Sequence, residues 1–253
     1  MRPWRKVLIL LLVMVLLSGL AIMMYPYIQG AFVDYALEQD AKAFLDRNQK
    51  PTEPDETNPQ ESMSTDPIET VPYNELRVAM EIYNAQIWDE KQVGLCDPWS
   101  YEQPSFALEE YGLKDEVFGV IHIPKLELTM PVYLGATYQH MADGAAHLSQ
   151  TSLPIGGENT NCVIAGHRGW GGASYFRYIT DLRPGDEVII TNLWETLTYT
   201  VCETKIIDPN DVEEILIQPN RELLTLLTCH PYASGGRQRY VVYCDRMREM
   251  EVE

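Results

Sequence analysis

A long uncharged run near the start of the chain restricts where this protein can reside. It extends from Val7 to Met24, 18 residues interrupted only by Ser18 and Gly19. A helix rises about 1.5 Å per residue, so this run would reach about 27 Å, close to the thickness of a bilayer hydrocarbon core. The sequence therefore predicts a cytoplasmic tip and a membrane-spanning helix within residues 1–28. No second run approaches this length, which indicates a single-pass protein.

The residues that flank the run predict its orientation. Arg2, Arg5 and Lys6 precede it, and Tyr25 and Tyr27 follow it at interfacial depth. A basic flank stays in the cytoplasm, which would place the rest of the chain outside the cell. The alternative is a cleaved signal peptide, but the apolar core exceeds the usual length of about 7–15 residues and no small-x-small cleavage site follows. We favour an uncleaved signal-anchor.

Acidic residues dominate the next part of the chain. Residues 46–72 contain five prolines and seven acidic side chains, too polar a mixture to offset the entropy of ordering. We therefore expect an extracellular stalk and an acidic, proline-rich linker over residues 29–72. The whole chain has 37 acidic and 19 basic residues and a formal charge of −18, which argues against a broad nucleic-acid-binding surface.

The remaining sequence divides into a helical part and a β-rich part. Leu76, Met80, Tyr83 and Ile87 recur at helical spacing within an N-terminal helical region, residues 73–115. A short helix is also expected over Ser105–Tyr111. Residues 116–253 contain short apolar runs separated by Pro and Gly, which predicts a mainly β fold, a sandwich or a closed barrel. The expected strands are Val117–Ile123, Leu126–Tyr133, Asn161–Ala165, Glu187–Thr191, Thr196–Ile207, Leu223–Cys229 and Gln238–Cys244.

One of the five cysteines differs from the others in its position. Cys229 ends a predicted strand and precedes His230-Pro231, so its thiol should be accessible enough to react. Three others lie inside apolar strand segments, where a buried, inert thiol is expected. A disulfide among the remaining four stays open at this stage; these are Cys96, Cys162, Cys202 and Cys244.

A nucleophilic thiol needs partners, and two strand ends offer them. His167 follows the apolar strand that ends at Ala165, at a position where active-site groups are often presented. Arg239 begins the last predicted strand and could stabilise a developing oxyanion, although Arg237 remains a rival. His230 is adjacent to Cys229 but should point to the opposite face of the strand.

Several of these segments together resemble the sortases, membrane-anchored cysteine transpeptidases of Gram-positive bacteria, and specifically the class C enzymes that polymerise pilins. The resemblance covers roughly residues 94–245. The matching stretches are Ile121–Lys125, Gly144–Leu148, Thr151–Asn159, Ala165–Gly169, Thr225–Cys229 and Arg239–Val242.

This resemblance implies a closed eight-stranded sortase-type β-barrel over residues 116–253, with short N-terminal helices before it. Cys229 would attack an LPxTG-like sorting signal between Thr and Gly, His167 would serve as general acid and base, and Arg239 would stabilise the oxyanion. The acceptor would be a pilin lysine, and the partners would be pilins or other surface proteins that carry the signal. The family's chemistry needs no metal or organic cofactor.

The resemblance also implies a lid over the active site, within residues 94–104. Asp97, Pro98 and Trp99 are similar to the Asp-Pro-aromatic lid of class C, with Trp99 over the thiol and Asp97 paired with Arg239. A housekeeping sortase that anchors surface proteins to cell-wall peptide is the alternative, and the lid argues against it. A membrane-tethered thiol hydrolase and a non-catalytic adhesion module also remain open.

Overall fold

Eight strands close into a barrel in the computed structural model, which describes residues 3–49, 73–100, 108–113 and 117–247. Neighbouring strands follow the order β1-β2-β3-β4-β7-β8-β6-β5. The predicted closed, mainly β barrel is thereby confirmed. The strands are β1 Val117–Ile123, β2 Leu128–Leu134, β3 Ala145–His147, β4 Thr160–Ala165, β5 Glu187–Thr191, β6 Thr196–Ile207, β7 Glu222–His230 and β8 Gln238–Arg246.

Alternating side chains give the barrel two apolar layers. On β4, β7 and β8, one set of residues faces the main core, including Ile164, Leu226 and Val242. The intervening residues, among them Ala165 and Leu227, face a second buried cluster. Because side chains alternate along a strand, this second cluster covers the opposite surface of the same three strands.

The first helix is longer than the sequence analysis expected. α1 runs from Pro3 to Gln49, and its N-terminal half carries an exposed apolar stretch long enough to cross a membrane. Residues 29–49, expected as the start of a stalk, continue this helix. Leu37, Ala41 and Phe44 recur at four- and three-residue spacing and are buried, so this part has an apolar stripe of its own that packs on the barrel.

Two further helices lie against the barrel. α2, Asn74–Asp89, buries Leu76, Met80 and Ile87. Its Asn84 accepts a hydrogen bond from the backbone N–H of Leu153 at 2.8 Å. α3, Tyr138–Asp143, connects β2 to β3.

Single-turn 3-10 helices complete the described elements: Pro98–Ser100, Leu108–Tyr111, Pro124–Leu126, Ile179–Asp181 and Val212–Ile215. Part of the expected 105–111 helix is therefore a 3-10 turn. The proline-rich linker from residue 50 to 72, residues 101–107 of the expected lid and short helix, and the terminal residues 248–253 lie outside the described residues.

Candidate active site

Cys229 and Arg239 face each other across two adjacent strands. Cys229 lies near the end of β7 and pairs with Arg239 at the start of antiparallel β8. Directly opposed residues project to the same side of a sheet, and Nη1 of Arg239 lies 3.7 Å from Sγ of Cys229. Arg239 is buried, whereas the rival Arg237 is exposed. The structure therefore brings Arg239, and not Arg237, to the thiol.

His167 follows the neighbouring parallel strand and lies level with the Cys229–Arg239 pair. Ala165 at the end of β4 pairs with Leu227 on β7, so two residues further along each chain His167 is level with Cys229. The loop is held there because Gly166 N–H donates to the carbonyl of Leu227 at 3.1 Å. The Thr228 hydroxyl donates to the carbonyl of Gly166 at 2.7 Å.

Aromatic rings fix the imidazole of His167. Trp170 stacks on it with the ring centroids 4.8 Å apart, and Tyr175 approaches edge-on at 6.0 Å. The backbone N–H of Phe176 donates to the carbonyl of His167 at 2.9 Å, which closes the loop beneath the ring. These contacts restrict rotation of the imidazole before any substrate is present.

Asp97 and Trp99 cover this row of side chains. The Asp97 carboxylate accepts two hydrogen bonds from Arg239, from Nε at 2.6 Å and from Nη2 at 2.7 Å. The Trp99 ring lies over the Arg239 guanidinium at 4.5 Å and meets His167 edge-on at 6.3 Å. Pro98 begins the 3-10 turn that carries Trp99. Trp99 also packs on the second buried cluster, the one that includes Ala165 and Leu227. Ionic and apolar contacts therefore both hold the Asp97–Trp99 segment in place.

The surroundings of Cys229 and His167 favour the neutral form of each group. Burial raises the pKa of the Cys229 thiol and the Asp97 charge raises it further, while Arg239 and Arg168 act in the opposite direction. Burial also lowers the pKa of His167. Desolvation penalises the charged form of each group, so the thiolate–imidazolium pair is disfavoured while the segment is in place.

A second arginine, Arg168, to which the sequence analysis gave no role, lies close to the backbone of Cys229. Nη1 of Arg168 donates to Nδ1 of His230 at 2.6 Å and is 3.5 Å from the carbonyl of Cys229. A guanidinium only donates, so Nδ1 of His230 is the acceptor and its ring is neutral. Burial and Arg168 lower the pKa of His230. The signal in the sequence was the Arg that directly follows His167.

The loop between β7 and β8 wraps closely around the Arg239 guanidinium. Nη1 of Arg239 donates to the carbonyl of Gly236 at 2.7 Å and to that of Gln238 at 3.0 Å. Gly236 has a φ of 74°, and a Cβ there would lie 3.1 Å from Nη1 of Arg239 and 3.2 Å from Sγ of Cys229. Only glycine fits this position without displacing one of the two groups.

The other histidines and cysteines have separate surroundings. His122, His140 and His147 contact Thr129, the carbonyl of Gly135 and Thr151 respectively, away from the thiol. In the described part of the chain no disulfide joins any two of Cys96, Cys162, Cys202 and Cys244, the pairing that the sequence left open. Cys162 and Cys244 are buried, and desolvation raises the pKa of both. Cys202 is only half-buried.

Comparison with known proteins identifies similar chains. A family model described as a sortase domain matches residues 121–247. Sortase D of Bacillus subtilis is 30% identical over 131 residues, 51% of this chain and 63% of that protein, so the chain spans less than two thirds of this relative.

Solved structures match over more of their length. Sortase C1 of Group B Streptococcus pilus island 1 is 31% identical, with a TM-score of 0.65 over 73% of this chain and 93% of that one. Sortase C of Streptococcus pneumoniae, described in connection with pilin substrate specificity, is 27% identical, with a TM-score of 0.66 over 83% and 97%.

Proposed function

This chain belongs to the sortase family, and from that premise we propose that it is a membrane-anchored class C cysteine transpeptidase that joins pilins. The observation that carries the proposal is the row of Cys229, His167 and Arg239 at the ends of β4, β7 and β8, covered by Asp97 and Trp99. α1 would anchor the enzyme, with its basic N-terminal end in the cytoplasm and the barrel outside the cell.

In the first half-reaction, the Cys229 proton passes to His167 and the thiolate attacks the Thr carbonyl carbon of an LPxTG-like sorting signal. Arg239 donates hydrogen bonds to the oxyanion that develops on the carbonyl oxygen. Collapse of the tetrahedral intermediate breaks the Thr–Gly bond, and His167 gives its proton to the departing glycine amine. The products are a thioester on Cys229 and a peptide with a new N-terminal glycine.

In the second half-reaction, a pilin lysine amine attacks the thioester carbon. Neutral His167 takes a proton from the attacking amine, and the second tetrahedral intermediate collapses with the Cys229 sulfur as leaving group. The sulfur recovers its proton from His167, and the pilins are joined by an isopeptide bond.

Asp97 and Trp99 act as a lid in this proposal. Asp97 occupies the Nε and Nη2 donors of Arg239, the same guanidinium that an oxyanion would need. Trp99 covers the space between Arg239 and His167. The free enzyme would therefore be closed, and a sorting signal would bind only after the segment moves away.

A housekeeping sortase is the second candidate, and its acceptor distinguishes it. The test is to incubate the lid-opened double variant Asp97→Ala/Trp99→Ala with a pilin subunit that carries its sorting signal, in the presence of a competing cell-wall-type peptide amine. We expect isopeptide-linked pilin multimers, lost when the acceptor lysine is replaced. Exclusive transfer to the cell-wall peptide would favour the housekeeping enzyme, and product formation independent of any amine would favour a hydrolase.

A further inference from the structure

The anchor helix and the loop that follows His167 touch through their backbones. A Cβ on Gly30 of α1 would lie 2.2 Å from the carbonyl oxygen of Gly172, and one on Gly172 would lie 2.2 Å from the carbonyl oxygen of Pro26. Two glycines therefore permit an approach that no other residue would allow without displacement. The Trp170 loop, residues 168–174, is thus in direct backbone contact with α1.

Hydrogen bonds between the loop and Asp34 of α1 stabilise this contact. The Asp34 carboxylate accepts from the backbone N–H of Ser174 at 2.8 Å and from its hydroxyl at 3.1 Å. Within the loop, Trp170 and Ala173 exchange backbone hydrogen bonds at 2.9 Å and 3.2 Å, so Gly171 and Gly172 form a tight hairpin tip. These hydrogen bonds fix the position of Trp170 relative to α1.

This position is close to the end of the apolar run. Pro26 and Gly30 follow Met24 by two and six residues, which places them about 3 Å and about 9 Å further along the helix axis. The interfacial layer on each side of a bilayer is about 5–8 Å thick, from the difference between total and hydrocarbon thickness. Of the two residues that the loop touches, Pro26 therefore falls within the headgroup layer and Gly30 at its outer edge.

Exposed aromatic rings begin at this level and continue beyond it along α1 and the adjoining barrel surface. Trp170 stacks on His167 with one face yet remains 49% exposed, and Tyr178 is 48% exposed beside Ala31 and Tyr35 of the helix. Tyr27 and Phe32 on α1 are also exposed. Aromatic side chains with a polar edge and an apolar body are enriched at membrane interfaces, because one part is hydrated and the other is not.

We propose that the Trp170 loop is a second membrane contact, with the Trp170 indole inserted among the phospholipid headgroups beside α1. The inference rests on the proposed anchoring by α1 and adds to it an interaction surface on the barrel itself. Because Trp170 stacks on His167, the bilayer would lie one ring away from the imidazole. The occupant of this surface is the bilayer that holds the helix, since the loop touches the helix where it leaves the apolar run.

Tryptophan quenching by brominated lipids tests this directly in the full chain. The chain is reconstituted in bilayers whose lipids carry bromine near the headgroup or near the end of the acyl chain. Trp4→Phe removes the indole at the other end of α1, and the remaining emission is compared in Trp4→Phe, Trp4→Phe/Trp170→Phe and the matched control Trp4→Phe/Trp194→Phe. Trp194 lies in the turn between β5 and β6, away from the loop.

We expect headgroup bromine to quench the Trp4→Phe chain more strongly than acyl-end bromine. Most of that quenching should be lost in Trp4→Phe/Trp170→Phe and retained in the Trp194 control. The depth comparison in Trp4→Phe needs no change at position 170, so it stands even if that variant folds poorly. Equal emission with and without bromine, or quenching that survives removal of Trp170, overturns the inference. The quenching of Trp4 is the difference in quenching between the unmodified chain and Trp4→Phe. If this difference is absent, the anchoring by α1 is overturned as well, so the two failures are distinguishable.

Discussion

Asp97 acts on two groups of the candidate site at once. It occupies two donors of Arg239 and its charge adds to the burial that raises the pKa of Cys229. A carboxylate paired with the guanidinium that faces the thiol would therefore weaken both groups in their proposed roles. If the segment acts as the proposed lid, it would keep the site inactive for an electrostatic reason as well as a steric one.

We predict that Asp97→Ala lowers the pKa of Cys229. Burial and the Asp97 charge now raise it, so removing the charge and loosening the cover both favour the thiolate, while Arg239 and Arg168 remain. The rate of Cys229 alkylation, followed across pH by mass spectrometry, should reach its midpoint at lower pH and be several-fold faster near neutrality.

The matched control is Asp186→Ala, which removes the carboxylate of the surface Lys125–Asp186 pair instead. Its alkylation profile should coincide with that of the unmodified chain. A midpoint in Asp97→Ala that is unchanged or shifted upward would contradict this account of the lid.

At the scale of elements, the β7–β8 loop determines where the guanidinium rests. Gly235 and Gly236 have φ values of 72° and 74°, but a Cβ on Gly235 would meet nothing within 4 Å, whereas one on Gly236 would crowd Arg239 and Cys229. The two positions thus share a backbone penalty of about 1–2 kcal/mol and differ in the site contact alone.

Gly236→Ala should therefore lower transpeptidation at least about tenfold, because small displacements of reacting groups have large effects on rate. Gly235→Ala should lose a similar amount of stability and keep most of its activity. Activity is measured with a sorting peptide in the Asp97→Ala background, and stability by thermal unfolding. Equal activity of the two variants would show that the loop does not position Arg239.

The strand pattern shows which elements a sequence of this kind specifies. β1, β5 and β6 were predicted with the bounds observed, because runs rich in β-branched and apolar residues lie between clear turns. The row of Cys229, His167 and Arg239 followed from strand ends and a family resemblance. β3 was not predicted from its residues, since Ala145–His147 is too short and too weakly β-forming to give a pattern.

Other features depended on long-range contacts. The second half of α1 was expected as a stalk, because the stripe of Leu37, Ala41 and Phe44 becomes meaningful only when a barrel is present to pack against it. Arg168 was not assigned a role because its partner, His230, is distant in sequence and becomes a neighbour through the parallel pairing of β4 and β7.

At the scale of the whole molecule, a buried histidine links folding to pH. His147 is fully buried, and desolvation lowers its pKa to about 4 from an ordinary value of 6.5. Between these two values the unfolded chain binds a proton at this residue and the folded chain does not. Stability is therefore fully present above pH 6.5 and is lost as pH falls toward 4, by up to about 3 kcal/mol.

We predict that His147→Gln removes this part of the pH dependence. The free energy of unfolding in detergent, measured between about pH 7 and pH 4, should fall less steeply in the variant than in the unmodified chain. His122→Gln, at a half-buried site, should keep the original slope. Parallel curves for His147→Gln and the unmodified chain would contradict the assignment.

The proposed mechanism requires Cys229 to form a thioester with a sorting signal, and mass spectrometry measures this directly. The Asp97→Ala/Trp99→Ala chain is incubated with a panel of LPxTG-like peptides and digested. We expect an adduct on Cys229 that carries the peptide up to its Thr, with release of the fragment that begins at Gly, and loss of both products in His167→Ala. No Cys229 adduct from the opened enzyme with any peptide of the panel, or an adduct on another cysteine instead, would contradict it.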